Sequence, residues 1–191
     1  MGIYFLEPLP QKFKLPIEIG RFPGNVYVFI NKKDNIVIKY FAPYDCSWSG
    51  FNKEYGGCHK NELFVYQLLM KNKCKQCPKL LGHCYEKLYI KMELCNTLGN
   101  NILILNWERD LNDFFNILNK EQILAFDMKS QPILSKNGHI KFIDFGLYKT
   151  KLFYPLNLRL PNITDPNISN RNDMYNKLLN LYKRALSKSK L

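Results

Sequence analysis

The segment Asn137-Gly-His-Ile-Lys-Phe-Ile-Asp-Phe-Gly146 puts one acid where chemistry could use it. Asn-Gly supplies a tight turn, a short apolar strand follows, and Asp144 stands at its end. The strand fixes the backbone, the carboxylate projects beyond it, and Gly146 lets the chain turn away. A carboxylate so presented suits magnesium, a hard cation that takes a few oxygen ligands and shares phosphate oxygens. Upstream, Ile36-Val-Ile-Lys39 carries a lysine in a strand-like run. Glu62 is followed at four and seven residues by Tyr66 and Leu69, so a helix there carries the acid and an apolar stripe on one face. Taken singly, Lys39 reads as a strand-edge lysine and Glu62 as a solvated helix acid. Lys39, Glu62 and Asp144 in this order are far more specific than any one of them.

All six cysteines lie between Cys46 and Cys95, and one pair, Cys74-Lys-Gln-Cys77, has CxxC spacing. Cys58-His59 and His83-Cys84 flank it, so a zinc site could be drawn from these residues. A structural zinc site needs two well-placed pairs and there is one. The expectation is reduced thiols beside a loop, with no metal on Cys74 and Cys77.

The elements that would position these residues follow from periodicity and breakers. Residues 1–14 read as a lead-in. Val26 to Ile30 and Asn35 to Phe41 form a hairpin, and residues 43–57 read as a loop. Lys60 to Met70 suits a helix. Leu80 to His83 and Leu88 to Cys95 read as strands, and Asn96 to Asn101 as a break between two lobes. A helix or a broken helix is expected over 107–124, and a hairpin from Ile133-Leu134 and His139 to Ile143. Residues 150–172 are rich in Pro, Asn and Asp and read as loop. Met174 to Leu186 suits a last amphipathic helix. The order, mostly strands first and helices later, predicts an α+β fold.

The 191 residues fit one domain or two small lobes, 46% hydrophobic content excludes wholesale disorder, and no apolar run is long enough for a membrane span. The first residues lack a secretion signal, which points to an intracellular, cytoplasmic protein (host cytoplasm if the source is viral). The 28 Lys and Arg against 16 Asp and Glu give a net charge of +12. Such a surface favours ATP or acidic partners. The Lys and Asn bias fits AT-rich coding, so nucleic acid is not the favoured partner. Lys177, Lys183, Arg184, Lys188 and Lys190 read as a solvated helix face and a frayed end.

From about Ile17 to Leu147 the chain resembles the protein-kinase-like superfamily, specifically eukaryotic-type Ser/Thr protein kinases. The resemblance implies a two-lobed fold with a small antiparallel N-lobe over residues 15–95 and a reduced helical C-lobe over 96–191. It implies ATP and Mg2+ as cofactors, with a protein substrate or a partner kinase. Lys39 would hold the α- and β-phosphates, Glu62 would orient Lys39, and Asp144 would bind magnesium. Met92 would stand beside the adenine, with the Glu93 carbonyl and the Cys95 backbone facing its edge. Gly20, Gly24 and Val26 match a glycine-rich phosphate loop that lacks its middle glycine and is one residue short. Asp127 matches the acid that accepts the substrate proton, Lys129 the lysine that steadies the γ-phosphate, and Gln131 the metal-binding Asn, with one residue missing between Asp127 and Gln131. Ala125 and Phe126 replace the His and Arg before the catalytic acid. Asn172-Asp173-Met-Tyr175 resembles the start of the long C-lobe helix, whose Asp ties down the catalytic loop. The chain ends at Leu191 with no Ala-Pro-Glu motif, an economy similar to compact viral kinase-like proteins and the small kinase of the KEOPS complex. Two functions are implied: an ATP- and Mg-dependent phosphotransferase, or a weak or inactive pseudokinase that binds a partner protein as decoy or scaffold.

Overall fold

Alternating and β-branched runs dominate the first half of the chain, and they pair as an antiparallel sheet. The computed structural model describes residues 17–22, 26–41, 57–98, 104–125, 128, 131–150 and 166–188. The sheet contains β1 (Ile17–Phe22), β2 (Val26–Asn31), β3 (Ile36–Phe41), β4 (Leu80–Cys84) and β5 (Tyr89–Glu93) in the order β1-β2-β3-β5-β4. The β2–β3 turn closes on itself: the Asp34 amide donates to Asn31 Oδ1 at 3.1 Å, and Asn35 takes the left-handed conformation at φ 54°. In this register Lys39 lies between Val28 of β2 and Ile90 of β5, on the central strand.

Helix α1 (Gly57–Lys71) crosses between β3 and β4, with Leu63, Tyr66 and Leu69 fully buried at helical spacing. A Schellman motif ends it: the Cys74 amide donates to Leu69 O, the Lys73 amide to Met70 O, and Lys73 has φ 54°. Helix α2 (Trp107–Lys120) buries Trp107, Leu111, Phe114, Phe115 and Leu118 along one stripe. A second, three-stranded antiparallel sheet contains β6 (Asn96–Thr97), β7 (Leu134–Lys136) and β8 (His139–Lys141). Asn137 and Gly138, at φ 52° and 76°, make the two-residue β7–β8 turn that positive φ at both positions demands. A 3-10 turn (Phe145–Leu147) follows β8, and α3 (Pro166–Lys188) packs on α2 through Met174, Leu178 and the Trp107–Tyr175 ring pair. One apolar cluster joins these layers, and Tyr66, Phe114, Phe142 and Phe145 meet inside it.

The fold is therefore α+β with two antiparallel sheets and, among the described residues, three α-helices. Several element bounds differ from the sequence expectation. Ile17–Phe22, with its residues from Ile19 on read as the start of a glycine loop, is an edge strand paired along its length with β2, Gly20 opposite Val28. Of the two forms expected over 107–124 the broken helix is the one observed: α2 stops at Lys120, because Gln122 turns left-handed at φ 55° and the Ile123 amide folds back to Leu118 O. Asn96–Thr97, read as a break, pairs with β7. α3 begins at Pro166, inside the stretch read as loop, since proline at a first helical turn sacrifices no hydrogen bond. The lead-in over 1–14 and the loop over 43–56 lie outside the described residues.

Gln122 is exposed, so its left-handed backbone is a cost without a compensating side-chain burial. Gln122→Gly is expected to raise unfolding stability by about 1 kcal/mol. Urea unfolding should show a higher midpoint with an unchanged slope.

Candidate functional site

Lys39 projects from the central strand toward α1 and the end of β8. Its Nζ lies 2.6 Å from Glu62 Oε2 and 2.6 Å from Asp144 Oδ1, and 5.0 Å from the centre of the Phe41 ring. Lys39 is 7% exposed and Glu62 is fully buried, whereas the Asp144 side chain is 57% exposed. The cation is thus held from the inside by one carboxylate and meets a second at the surface. Burial favours a neutral Lys39, but the Glu62 and Asp144 carboxylates more than offset it and hold the ammonium above the usual lysine range. Burial pushes Glu62 up to about 7, against the pull of Lys39 and of the Phe145 backbone amide. Glu62 Oε1 has no hydrogen-bond partner, which is consistent with that direction.

Asp144 has φ 66° and ψ 61°, a left-handed conformation that a non-glycine residue holds only when its surroundings impose it. Three contacts do so. The Gln131 amide nitrogen donates to Asp144 O at 3.0 Å. Asn61, buried on α1 beside Glu62, donates to Gly146 O at 2.9 Å and also reaches the carbonyls of Phe145 and Tyr148. The Phe145 ring meets Tyr66 edge-on at 4.8 Å, and the Tyr66 hydroxyl donates to Met92 Sδ at 3.4 Å. α1 therefore grips the residues after Asp144 through polar and aromatic groups at once.

β8, which delivers Asp144, is fixed from behind. Buried Asp110 on α2 takes Gln76 Nε2 at 3.0 Å, His139 Nδ1 at 2.9 Å and the Ile140 amide at 3.1 Å. Lys141 Nζ donates to Lys75 O and Cys77 O, and the Phe142 amide donates to Gln76 O.

The structure brings Lys39, Glu62, Asp144 and Gln131 together, with Met92 one contact away through Tyr66. Glu93 ends β5, where its carboxylate pairs with Lys136 at 3.0 Å and faces Lys141 at 3.7 Å, and its carbonyl meets Cys95 Sγ at 4.0 Å. Burial pushes the Cys95 thiol up to about 11. Gly20 sits in β1 and Val26 opens β2, while Gly24, Asp127 and Lys129 lie outside the described residues. No group of three or more His, Cys, Asp or Glu suited to a metal ion occurs among the described residues, where Cys74, Cys77, Cys84 and Cys95 are free. Magnesium shared with phosphate needs fewer protein ligands than that. With Glu62 ionised, one cation faces two carboxylates, and the excess negative charge and the exposed Asp144 carboxylate fit a divalent ion.

Two contributors escaped the sequence reading. Asn61 carries no motif; a polar residue beside Glu62 on a mostly buried helix is the only signal. The tie to the segment entering 126–130 comes from Asn167 rather than Asp173, which is exposed on α3. Asn167 Oδ1 accepts from the Ala125 amide at 2.7 Å, its Nδ2 donates to Ile123 O at 2.9 Å, and Asn170 Nδ2 donates to Ala125 O at 3.1 Å. The earlier start of α3 moves this role six residues upstream of Asp173.

Asn61→Leu keeps the branching at Cγ and deletes the donor, so buried carbonyls lose their partner. A loss of about 2–3 kcal/mol is expected in urea unfolding, with faster amide exchange over 145–148. A neutral substitution would remove Asn61 from the clamp.

No protein-family model and no curated protein matches the chain.

Proposed function

We propose that the chain is an ATP- and magnesium-dependent phosphotransferase of protein-kinase-like type, moving the γ-phosphoryl group to a protein Ser or Thr hydroxyl. One observation carries the reading: Lys39 Nζ lies 2.6 Å from both Glu62 and a left-handed Asp144. Phosphoryl transfer demands little covalent chemistry from a protein and much fixed charge. A buried cation oriented by Glu62 would meet the α- and β-phosphates. Asp144, with the Gln131 amide beside it, would hold magnesium between the phosphates. Asp127 would align the acceptor hydroxyl and Lys129 would steady the γ-phosphate. The five-stranded sheet with α1 fits a small N-lobe, and α2, the β6–β8 sheet and α3 fit a reduced C-lobe meeting it near Asn96.

A non-catalytic module that binds a partner protein is the second reading. It is favoured by Gln131, whose donor rather than its oxygen faces Asp144. ATP binding measured by calorimetry with and without magnesium, followed by ATP turnover, tests both. Magnesium-strengthened binding with turnover supports the enzyme. Partner capture without turnover supports the module, and absence of any nucleotide effect removes the phosphotransferase.

A further inference from the structure

Cys74 and Cys77 stand at the end of α1, 5% and 1% exposed, and both are free thiols. Cys74 Sγ donates to Gln76 Oε1 at 3.4 Å, and Cys77 Sγ donates to Cys74 O at 3.7 Å. The pair is asymmetric. Cys74 lines a cavity of about 520 Å3 between the 72–76 loop, α2 and His139, and Cys77 does not. The neighbouring Cys77 thiol lowers the Cys74 pKa, and the neighbouring Cys74 thiol, with burial, raises Cys77. The Lys141 ammonium favours the thiolate form of both. Lys73, Lys75 and Arg109 at the cavity outweigh Asp110 and Asp113 there, so an anionic thiol reagent is attracted rather than repelled.

We propose that Cys74 and Cys77 form a redox modification site, a dithiol that a low-molecular-weight anionic disulfide oxidises to an intramolecular disulfide. The Cys74 thiolate attacks one sulfur of the reagent, its S–S bond breaks, and one reagent thiolate leaves. Cys77, surrendering its proton, attacks Cys74 and expels the second thiolate. Two protein thiols lose two electrons and two protons, and one reagent disulfide becomes two thiols.

The consequence falls on β8. The carbonyls of Lys75, Gln76 and Cys77 are the acceptors for Lys141 Nζ and the Phe142 amide, so the CxxC loop and the strand that delivers Asp144 share a hydrogen-bond seam. Closing a disulfide ring inside this loop moves those carbonyls, and the seam loosens.

The full-length protein is equilibrated with oxidised and reduced glutathione at graded ratios, acid-quenched, alkylated and digested with trypsin. Cleavage after Lys75 separates Cys74 from Cys77, so a bridge is read as two linked fragments, two hydrogens lighter than the unlinked pair. The linked species should rise with the oxidant ratio and vanish with reductant. Cys77→Ser should stop at a glutathione adduct on Cys74, and Cys74→Ser should leave Cys77 unmodified. Oxidation should speed amide exchange at Phe142 about 10-fold without changing α3. Both thiols staying alkylatable at every ratio, a wild-type adduct that never resolves, or stoichiometric zinc held by the two thiols would overturn the site. Unchanged exchange at Phe142 would overturn its link to β8.

Discussion

Lys39→Met is expected to destabilise the fold by about 3 kcal/mol at pH 8 and by much less at pH 5. The reason is the carboxylate left behind. Glu62 is fully buried, and with Lys39 present its pKa is already pushed up to about 7, against 4.5 for an ordinary glutamate. A carboxyl whose folded pKa is raised contributes stability that is fully present below the unfolded value and is lost as pH rises through the folded one. Wild type should therefore weaken between about pH 4.5 and 7 on account of this group. Without the ammonium the folded pKa climbs further, and the loss continues through pH 8. Methionine fills most of the lysine stem, so packing against Phe41 is retained and the difference reports charge. The double variant Lys39→Met with Glu62→Gln should regain most of the stability at pH 8 and show the flattest pH dependence of the three. Urea unfolding at pH 5 and 8 reads all of this. A Lys39→Met deficit that is the same at both pH values would mean that Glu62 does not titrate against Lys39.

Much of this site was legible in the sequence, because its parts rest on local rules. Asn137-Gly138 requires positive φ at two successive residues, and few residue pairs tolerate that, so the turn and the strand carrying Asp144 could be placed. Leu63, Tyr66 and Leu69 repeat at helical spacing, which set Glu62 on the inward face of α1. What was hidden depends on tertiary partners. Asn61 looks like any helix asparagine until three carbonyls from the Phe145–Tyr148 segment arrive at its amide. Asn167 sits in a Pro- and Asn-rich stretch whose composition spells loop, and its helix exists because Met174 and Leu178 further on are buried against the core. Gln122 ends α2 in a conformation usually given to glycine, so no residue type announced the stop.

Asp144→Asn is expected to abolish magnesium-dependent turnover, by about 10³-fold or more, while leaving the fold intact. Asparagine tolerates the left-handed backbone at φ 66° as well as aspartate does, so the 3-10 turn after it keeps its place. Lys39 retains Glu62 as a partner at 2.6 Å, so the buried cation is not abandoned. What disappears is the half-exposed negative charge that a magnesium ion shared with phosphate requires. Two further substitutions separate the roles around it. Asp127→Asn should cut turnover with ATP binding nearly unchanged, since that acid would touch the acceptor hydroxyl and not the nucleotide. Gln131→Asn tests the metal shell: if the Gln131 amide ligates magnesium, the shorter side chain should preserve or raise activity, and if it only braces the Asp144 carbonyl, the same change should lower stability through loss of the 3.0 Å bond. A partner-binding module predicts another pattern, with no wild-type turnover and partner affinity that survives all three substitutions. Wild-type turnover that persists in Asp144→Asn would place the chemistry elsewhere, because no other described carboxylate lies against Lys39 at the surface.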